Sequence, residues 1–402
     1  MPLGLYISVP FCRTKCSFCN FSAGVFSRSL FDRYVEHLER ELAGAERIAN
    51  AMGGRFEPEV DSIYLGGGTP SVLAPDQLAR LFAAVRGNFH VHASAETTVE
   101  CAPGTLQPEL VETLLACGVN RVSLGVQSFI DRESSSVGRL HTRAITLADI
   151  ERLRAAGISD ISVDLIAGLP YQTKGSWADS LREVVATEVP HVSVYMLEVD
   201  EDSRLGRELI AGGTRYHAHH VPDEDLTADL YEQATEELNM AGISQYEISN
   251  FARTGRQSRH NLKYWTRQPY LGFGVDAHSM LPSAGSTEPH AAVRFATVDN
   301  LDELLAGAPR ERTNVDRTAA IEETFFLGLR LNRGVSLAEV RGRFGDDAVS
   351  RYEAVIADLV EAKLVELQDK VLRLTPRGRL LSNNVFERFL CDRSPVRDGP
   401  GT

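Results

Sequence analysis

The stretch Phe11-Cys12-Arg13-Thr14-Lys15-Cys16-Ser17-Phe18-Cys19 places three thiols on one short loop, with three and then two residues between them. It contains half of the six cysteines of the chain. Three thiolates can hold three irons of a four-iron cluster and leave the fourth iron open to another ligand. The alternatives are a zinc knuckle, which needs a fourth ligand nearby, and disulfides, which need paired cysteines and an oxidising compartment. Both fit poorly, because the remaining cysteines are isolated: Cys101, Cys117 and Cys391.

The composition is that of a globular protein with room for one large domain and a smaller one. Of its 402 residues, 43% are apolar and 24% are charged, and the formal net charge is -13. An excess of 55 acidic over 42 basic residues disfavours nucleic acid or an anionic membrane as a partner. Pro10 breaks the first apolar run, and no later run is long enough to span a bilayer. We therefore expect no integral membrane segment and, given the clustered thiols, a cytoplasmic location.

Short apolar runs rich in Val, Ile and Leu recur along the first half of the chain, which is typical of buried parallel strands. Six such strands are predicted: Leu5–Val9, Ser62–Leu65, Thr97–Glu100, Arg121–Val126, Ile161–Ile166 and Val192–Leu197. The segments between them have helical spacing: Leu30–Ile48, Pro75–Val85, Pro108–Ala116, Thr142–Ala156 and Lys174–Thr187. This alternation predicts βα units with right-handed crossovers. Six strands leave an open doubly wound sheet and an incomplete barrel as the alternatives.

Residues suited to binding a ligand follow these strands where each one ends. Gly66-Gly67-Gly68-Thr69-Pro70 comes after the second strand, Glu100 ends the third and Gln127 follows the fourth. Asp164 and Gly168-Leu169-Pro170 lie at the end of the fifth. In a barrel, the carboxyl ends of parallel strands meet at one mouth, so these groups can reach one ligand. The glycine run could be a tight turn only, but its neighbours indicate that it lets backbone groups approach that ligand.

The spacing Cys-x-x-x-Cys-x-aromatic-Cys after an apolar strand resembles the signature of radical S-adenosylmethionine (SAM) enzymes. Further blocks resemble those of the oxygen-independent coproporphyrinogen oxidases and their relatives: Gly66–Ser71, Gly125–Phe129, Gly138–His141 and Asp164–Pro170. This resemblance runs from about Leu5 to about Pro170 and implies an α/β fold with a six-stranded partial (β/α) barrel.

By the same resemblance, a 4Fe-4S cluster would be bound by Cys12, Cys16 and Cys19. SAM would be bound by residues at the strand ends: Tyr6, Phe18, Gly67, Gly68, Thr69, Glu100, Gln127, Arg139 and Asp164. Glu100 and Asp164 would accept hydrogen bonds from the ribose hydroxyls or from the amino group of SAM.

A first histidine-containing stretch, Arg215-Tyr216-His217-Ala218-His219-His220, precedes a predicted helix at Asp223–Met240. A metal site is one interpretation of this stretch. No carboxylate or cysteine completes a ligand set in the sequence, so a solvated surface turn is favoured.

A second stretch, His260-Asn261-Leu262-Lys263-Tyr264-Trp265, combines an imidazole with two adjacent aromatic rings. From chemistry alone, a histidine packed beneath the barrel mouth is the simpler interpretation, and an axial ligand to haem iron is the alternative. The pattern His-Asn-x-x-Tyr-Trp resembles the haem-binding motif of the HemW haem chaperones, a branch of the same family. That resemblance implies haem as a ligand of His260, Asn261, Tyr264 and Trp265.

The last quarter of the chain predicts a smaller domain. Pro282–Pro289 is rich in Ser, Gly and Pro and predicts a loop. Helices and strands are then predicted at Ala320–Leu331, Ser336–Phe344, Arg351–Ala362, Leu364–Leu367 and Lys370–Leu374. This pattern indicates a winged-helix-like α+β domain, and its acidic balance favours a lid or a protein contact over DNA binding. We expect a core (1–210), a haem-motif extension (211–290), a linker region (291–310), the C-terminal domain (311–390) and a disordered tail (391–402).

Two functions are compatible with these resemblances. A haem chaperone binds haem and transfers it to acceptor haemoproteins such as respiratory enzymes, whereas a coproporphyrinogen III dehydrogenase oxidatively decarboxylates a porphyrin precursor. The chaperone is favoured by the motif at His260, by Phe21 where the dehydrogenases commonly have a further cysteine, and by only eleven residues before Cys12. A radical SAM methyltransferase with the same core is a third alternative. An electron donor is implied as a partner if SAM is cleaved.

Overall fold

The computed structural model describes residues 1–285 and 290–390. The predicted tail with Cys391, and the end of the loop predicted before residue 290, lie outside the described residues. The chain divides into two compact units. One consists of Met1–Tyr264 and Gln268–Asn314, and the other of Trp265–Arg267 and the chain from Val315 onward.

The first unit is built on six parallel strands that lie side by side in chain order. They are β1 (Leu3–Val9), β2 (Glu59–Gly67), β3 (His90–Cys101), β4 (Arg121–Gln127), β5 (Asp160–Ala167) and β6 (His191–Met196). Each neighbouring pair is parallel, with Ile7 of β1 opposite Leu65 of β2. All six predicted strands are thus confirmed, and their sequential order is that of a partial (β/α) barrel.

Helices connect these strands. They are α1 (Arg28–Ala43), α2 (Ala45–Ala51), α3 (Pro75–Asn88), α4 (Pro108–Ala116), α5 (Asp131–Ser136), α6 (Arg143–Ala155) and α7 (Lys174–Ala186). Local sequence explains where several begin: α3 and α4 start at a proline, and the Thr173 hydroxyl accepts a hydrogen bond from the Ser176 N–H at the start of α7. The helix predicted at Leu30–Ile48 is divided at Gly44 into α1 and α2.

The sheet continues beyond the six strands on both sides. The added strands are β7 (Ser244–Gln245), β8 (Asn250–Ala252), β9 (Tyr270–Phe273), β10 (His278–Pro282), β11 (Ala292–Ala296) and β12 (Glu311–Val315). The full order is β12-β11-β10-β9-β1-β2-β3-β4-β5-β6-β8-β7. Strand β9 pairs with β1 in parallel, whereas β8 and β10 pair antiparallel with β6 and β9.

Among its described residues, this unit has four more α-helices: α8 (Arg204–Ala211), α9 (Glu224–Met240), α10 (Arg259–Trp265) and α11 (Leu301–Leu305). The stretch 291–310, expected as a linker, instead contains β11 and α11. It is structured because Val293, Phe295 and Leu304 are buried in the core, which a linker would not provide.

The second unit is a small α+β domain, as predicted. Its elements are α12 (Arg317–Leu329), β13 (Val335–Ser336), α13 (Leu337–Phe344), α14 (Asp347–Ser350), α15 (Glu353–Glu361), β14 (Val365–Gln368), β15 (Val371–Leu374), α16 (Pro376–Leu380) and α17 (Ser382–Glu387). Strands β14 and β15 form a hairpin and β13 adds to β15, as in a winged helix. The rings of Phe325 and Phe389 stack 4.9 Å apart in its core.

Candidate functional site

The cysteine loop, residues 11–19, leaves the carboxyl end of β1 and is held by backbone hydrogen bonds. The Cys12 N–H donates to the Gly24 carbonyl at 2.8 Å, and the Ser17 N–H donates to the Val137 carbonyl at 3.1 Å. The Thr14 hydroxyl donates to the Gly138 carbonyl at 2.9 Å. The loop is therefore fastened to the segment that also contains Arg139.

The three thiols of this loop are sheltered from water to different degrees. Cys16 is buried, and Cys12 and Cys19 are half-buried. Burial raises the pKa of the Cys12 and Cys19 thiols, while Arg139 acts in the opposite direction on both. Within the described residues, no three histidine, cysteine or acidic side chains are gathered closely enough to form a metal site. Three soft sulfur donors on one sheltered loop nevertheless fit an iron-sulfur cluster.

The glycine run at the end of β2 passes close to β1 and to the cysteine loop. Gly67 has a φ of +96°, and a Cβ there would lie 2.8 Å from Ser8 Oγ. A Cβ on Gly68 would lie 2.7 Å from the Val9 carbonyl oxygen. The Thr69 N–H donates to the Phe11 carbonyl at 2.8 Å, which joins the run to the cysteine loop. These glycines are thus required by the packing of the chain itself.

A partly buried carboxylate, Glu100, lies beside the glycine run at the end of β3. The Tyr64 hydroxyl donates to Glu100 Oε1 at 2.8 Å, and the Tyr64 ring stacks on the ring of Tyr6. Burial has the largest effect on the pKa of Glu100 and raises it to about 7. Hydrogen bonds from the Tyr64 hydroxyl and the Gly67 N–H act in the opposite direction. The side chain can therefore accept or release a proton near neutral pH.

Three more predicted residues surround this carboxylate. Asp164 accepts a hydrogen bond from Ser123 Oγ at 3.1 Å, and its pKa is raised by burial. The Arg139 guanidinium lies near Gly125, and its Nε is buried with no hydrogen-bond partner among the described residues. Gln127 is buried and has a φ of +70°, which is rare outside glycine. A buried unpaired guanidinium nitrogen beside a strained residue indicates a place for an anionic group.

Two aromatic residues predicted to contact SAM lie on different sides of the mouth. Phe18 packs against a buried cluster of Val137, Ile166 and Leu169, and so fixes the end of the cysteine loop. Tyr6 lies on β1, and burial raises the pKa of its hydroxyl. The structure thus brings the predicted cluster and SAM residues to the carboxyl ends of β1 to β5.

His260 lies apart from these strand ends, in the interior of the first unit, where its ring packs against that of Tyr64. Its side chain is only 1% exposed. Its Nδ1 is 3.1 Å from Ser62 Oγ, its Nε2 is 2.8 Å from the Tyr264 hydroxyl, and its ring stacks on Tyr64. Burial lowers the pKa of His260 to about 3, with a further contribution from Lys263. Both ring nitrogens are therefore engaged within the protein.

The other residues of the motif are held by separate partners. Lys263 is buried and pairs with Asp61 at 2.7 Å. The Tyr264 ring meets the Tyr270 ring edge-on, with centroids 4.6 Å apart. Asn261 is partly buried, and its N–H donates to Ser258 Oγ at 3.2 Å. Trp265 belongs to the second unit, where the Arg330 guanidinium lies 4.2 Å from its ring centre.

Sequence reasoning missed several residues that define these surroundings. Ser62 and Tyr64 contact His260, and the carboxylate of Glu96 accepts hydrogen bonds from the Arg259 and His260 N–H groups at the start of α10. The available signal was the alternation in β2, where Ser62 and Tyr64 point to the opposite side of the strand from Ile63 and Leu65.

Comparisons with known proteins agree with this architecture. The chain matches the model of the radical SAM superfamily over residues 6–184 and that of the HemN C-terminal domain over 315–381. The solved coproporphyrinogen III oxidase (HemN) of Escherichia coli, a radical SAM enzyme, superposes with a TM-score of 0.79 at 24% identity and covers 96% of this chain and 90% of its own. That likeness shows the fold. No helix among the described residues is both long and apolar enough to cross a membrane.

Sequence relatives cover nearly the whole chain. The heme chaperone HemW of Lactococcus lactis is 34% identical over 396 residues, 97% of this chain and 98% of that protein. HemW of Bacillus subtilis and of E. coli K12 are each 34% identical, over 96% and 97% of this chain and 98% and 99% of theirs. Radical SAM membership implies SAM and an iron-sulfur cluster as cofactors. The chain therefore belongs to the HemW family of haem chaperones, within the radical SAM superfamily.

Proposed function

We propose that this chain binds haem and transfers it to acceptor haemoproteins. The observation that carries the proposal is the 34% identity to a HemW chaperone over 97% of the chain. The pattern His260-Asn261-x-x-Tyr264-Trp265 supports it. The likeness to the solved oxidase extends to the fold alone and gives the dehydrogenase alternative no comparable support.

Cys12, Cys16 and Cys19 are proposed to hold three irons of a 4Fe-4S cluster, with SAM at the fourth iron through its amino and carboxylate groups. When bound, the cluster can supply an electron to SAM, and an electron donor is then a required partner. The chain contributes acceptors through Glu100 and Asp164. The Arg139 guanidinium, whose buried Nε has no hydrogen-bond partner among the described residues, is suited to an anionic group. The remaining proposed contacts are Tyr6, Phe18, Gly67, Gly68, Thr69 and Gln127.

His260 can reach haem iron only in an opened state. Its Nε2 must first leave the Tyr264 hydroxyl, and its ring must separate from Tyr64. We propose that the motif, with Asn261 and Trp265, contacts haem in such a state. The cost of opening is the loss of two buried hydrogen bonds and an aromatic contact, which makes the opened state a minor one in the absence of haem.

The proposed partners are haem itself and haemoproteins such as respiratory enzymes. All five described cysteines are free thiols, and cluster ligands must remain reduced, which supports a cytoplasmic location. The division into a core at 1–210, a haem-motif extension at 211–290 and a C-terminal domain at 311–390 remains a proposal.

The test is a reconstitution of the cluster without oxygen, followed by separate additions of hemin and coproporphyrinogen III. We expect a Soret band of bound haem and its transfer to an apo-haemoprotein, with coproporphyrinogen unchanged. Conversion of coproporphyrinogen to protoporphyrinogen, without haem binding, would require the dehydrogenase instead.

A further inference from the structure

A turn rich in imidazoles, residues 217–220, follows helix α8, which begins at the cysteine loop. We call it the histidine turn. From its geometry we infer that haem docks there while the buried motif is closed, with the imidazole of His219 or His220 as an axial ligand. The inference rests on the proposed haem-binding function and adds to it an exposed site at which haem docks.

The histidine turn is rigidly built. The carboxylate of Glu208, buried on α8, accepts hydrogen bonds from the Tyr216 N–H at 2.8 Å and from the Ala218 N–H at 3.1 Å. The Tyr171 N–H donates to the His220 carbonyl at 3.0 Å. Tyr171 and His217 have positive φ angles, 70° and 60°, which are rare for such residues and persist only where the surroundings hold them. These contacts fix the backbone of the turn.

The side chains of the turn form an exposed aromatic cluster. The His219 and His220 rings lie 4.0 Å apart, and the His220 ring lies 4.1 Å from that of Tyr171. His219 and His220 are exposed, whereas the Tyr171 hydroxyl is 3.0 Å from His217 Nδ1. Desolvation, with His219, Arg132 and His217 nearby, lowers the pKa of His220. A neutral exposed imidazole has the lone pair that haem iron requires.

The positive charges around the turn also suit haem. The exposed Arg132 guanidinium lies 3.8 Å from the Tyr171 ring centre, and the exposed Arg215 lies 5.4 Å from that of Tyr216. Guanidinium groups bind carboxylates such as the haem propionates. Imidazoles, an aromatic ring and guanidinium groups together suit a flat ring with an iron centre and anionic edges.

The position of the turn links it to the cluster site. Helix α8 begins at the cysteine loop, where the Leu205 N–H donates to the Ser17 carbonyl at 2.8 Å, and it ends before the turn. Its eight residues span roughly 12 Å. Tyr171 directly follows Gly168-Leu169-Pro170, at the end of β5. The turn therefore lies at the same barrel mouth as the proposed cluster, unlike the enclosed His260.

The test is a hemin titration of the reconstituted protein without oxygen, comparing wild type with the double variant His219→Ala/His220→Ala. We expect the dissociation constant to rise about tenfold or more and the Soret band to change, because the axial ligand is lost. The matched control is His90→Ala/His92→Ala, a second exposed pair, in which one ring nitrogen of each histidine lies 3.1 Å from a carboxylate oxygen of Glu59. The control should titrate like wild type. Melting temperatures of both variants should stay near that of wild type.

A second variant tests the cationic edge. Arg132→Gln should weaken hemin binding about threefold, as for an exposed ion pair, and should leave the binding of hemin dimethyl ester unchanged. If the His219→Ala/His220→Ala variant bound hemin with the dissociation constant and Soret band of wild type, the inference would be overturned. The proposed haem-binding function would be unaffected. Failure of the wild-type protein to bind hemin would overturn both this inference and the proposed function.

Discussion

The barrel mouth and the proposed haem-binding motif, residues 260–265, differ in how many of their buried polar groups have hydrogen-bond partners. At the mouth, Arg139 Nε is buried with no hydrogen-bond partner among the described residues, and Gln127 has a strained backbone. In the motif, His260 has a partner at each ring nitrogen and Lys263 is paired with Asp61. The comparison shows that a sequence motif can name candidate ligand-binding residues without showing that they are accessible. Buried polar groups that lack hydrogen-bond partners indicate where a ligand can bind without rearrangement of the protein.

The largest expected effect is at the cysteine loop. Replacing Cys12, Cys16 or Cys19 by alanine removes one of three sulfur ligands, so we expect the reconstituted protein to lose its iron and its cluster absorbance. Iron content and the visible spectrum measure this. The matched control is Cys117→Ala, a buried cysteine at the end of α4, which should keep the cluster. Full iron content in a loop variant would refute the cluster assignment.

The next effect concerns the motif as a structural element. His260→Ala leaves a cavity and removes two hydrogen bonds, so we expect the free energy of unfolding to fall by about 2–4 kcal/mol. Tyr264→Phe removes the hydrogen-bond partner of His260 Nε2 and should cost about 1 kcal/mol. Denaturant unfolding of the protein without haem measures both. If the free energy of unfolding of His260→Ala equalled that of wild type, the conclusion that the motif stabilises the folded protein would be wrong.

A smaller effect is expected at the glycine run. Gly67→Ala places a Cβ 2.8 Å from Ser8 Oγ at a φ of +96°, so we expect a loss of about 1–3 kcal/mol. The matched control is Gly87→Ala in α3, where a Cβ meets nothing within 4 Å and the change should stabilise by about 0.5–1 kcal/mol. Thermal unfolding compares the two. If Gly67→Ala were as stable as wild type, Gly67 would not be required by the packing of the chain, and its role would be limited to ligand binding.

The smallest effect is a pH dependence at Glu100, whose pKa is raised from 4.5 to about 7. The folded protein keeps this proton between the two values while the unfolded chain releases it, so stability falls as pH rises from about 4.5 to about 7. Below that window the side chain contributes nothing, and above it the penalty is complete. The full shift corresponds to about 3 kcal/mol, and partial exposure reduces our expectation to about 1 kcal/mol.

Glu100→Gln removes this titration and should make stability flatter over the same window. Unfolding of the cluster-free protein at a series of pH values measures the difference, with Asp164 unchanged in both proteins as the internal control. Parallel curves for the two proteins would show that Glu100 is ionised at pH 5 and is not desolvated by its surroundings.

Local sequence was sufficient for the strands and for the side of the barrel where the candidate cofactor residues lie. Apolar runs predicted all six parallel strands, and the carboxyl-end rule placed Glu100 and Asp164 together. Two features could not be predicted. A packed His260 was the simpler interpretation of the sequence, but its partners Ser62 and Tyr64 are about 200 residues away in the chain and could not be identified from it. The close approach of Gly68 to Val9 depends on strand register. Both follow from tertiary packing, which periodicity does not encode.

The pairing of β1 with β9 has a consequence for how the chain is made. Gly4–Ile7 pairs with Tyr270–Phe273, so one edge of the first strand stays open until most of the chain has left the ribosome. An apolar strand with an open edge is a site for wrong pairing with other chains, and contacts this distant in sequence form slowly. The cysteine loop extends directly from that strand. We therefore expect the nascent chain to depend on folding assistance until β9 is synthesised.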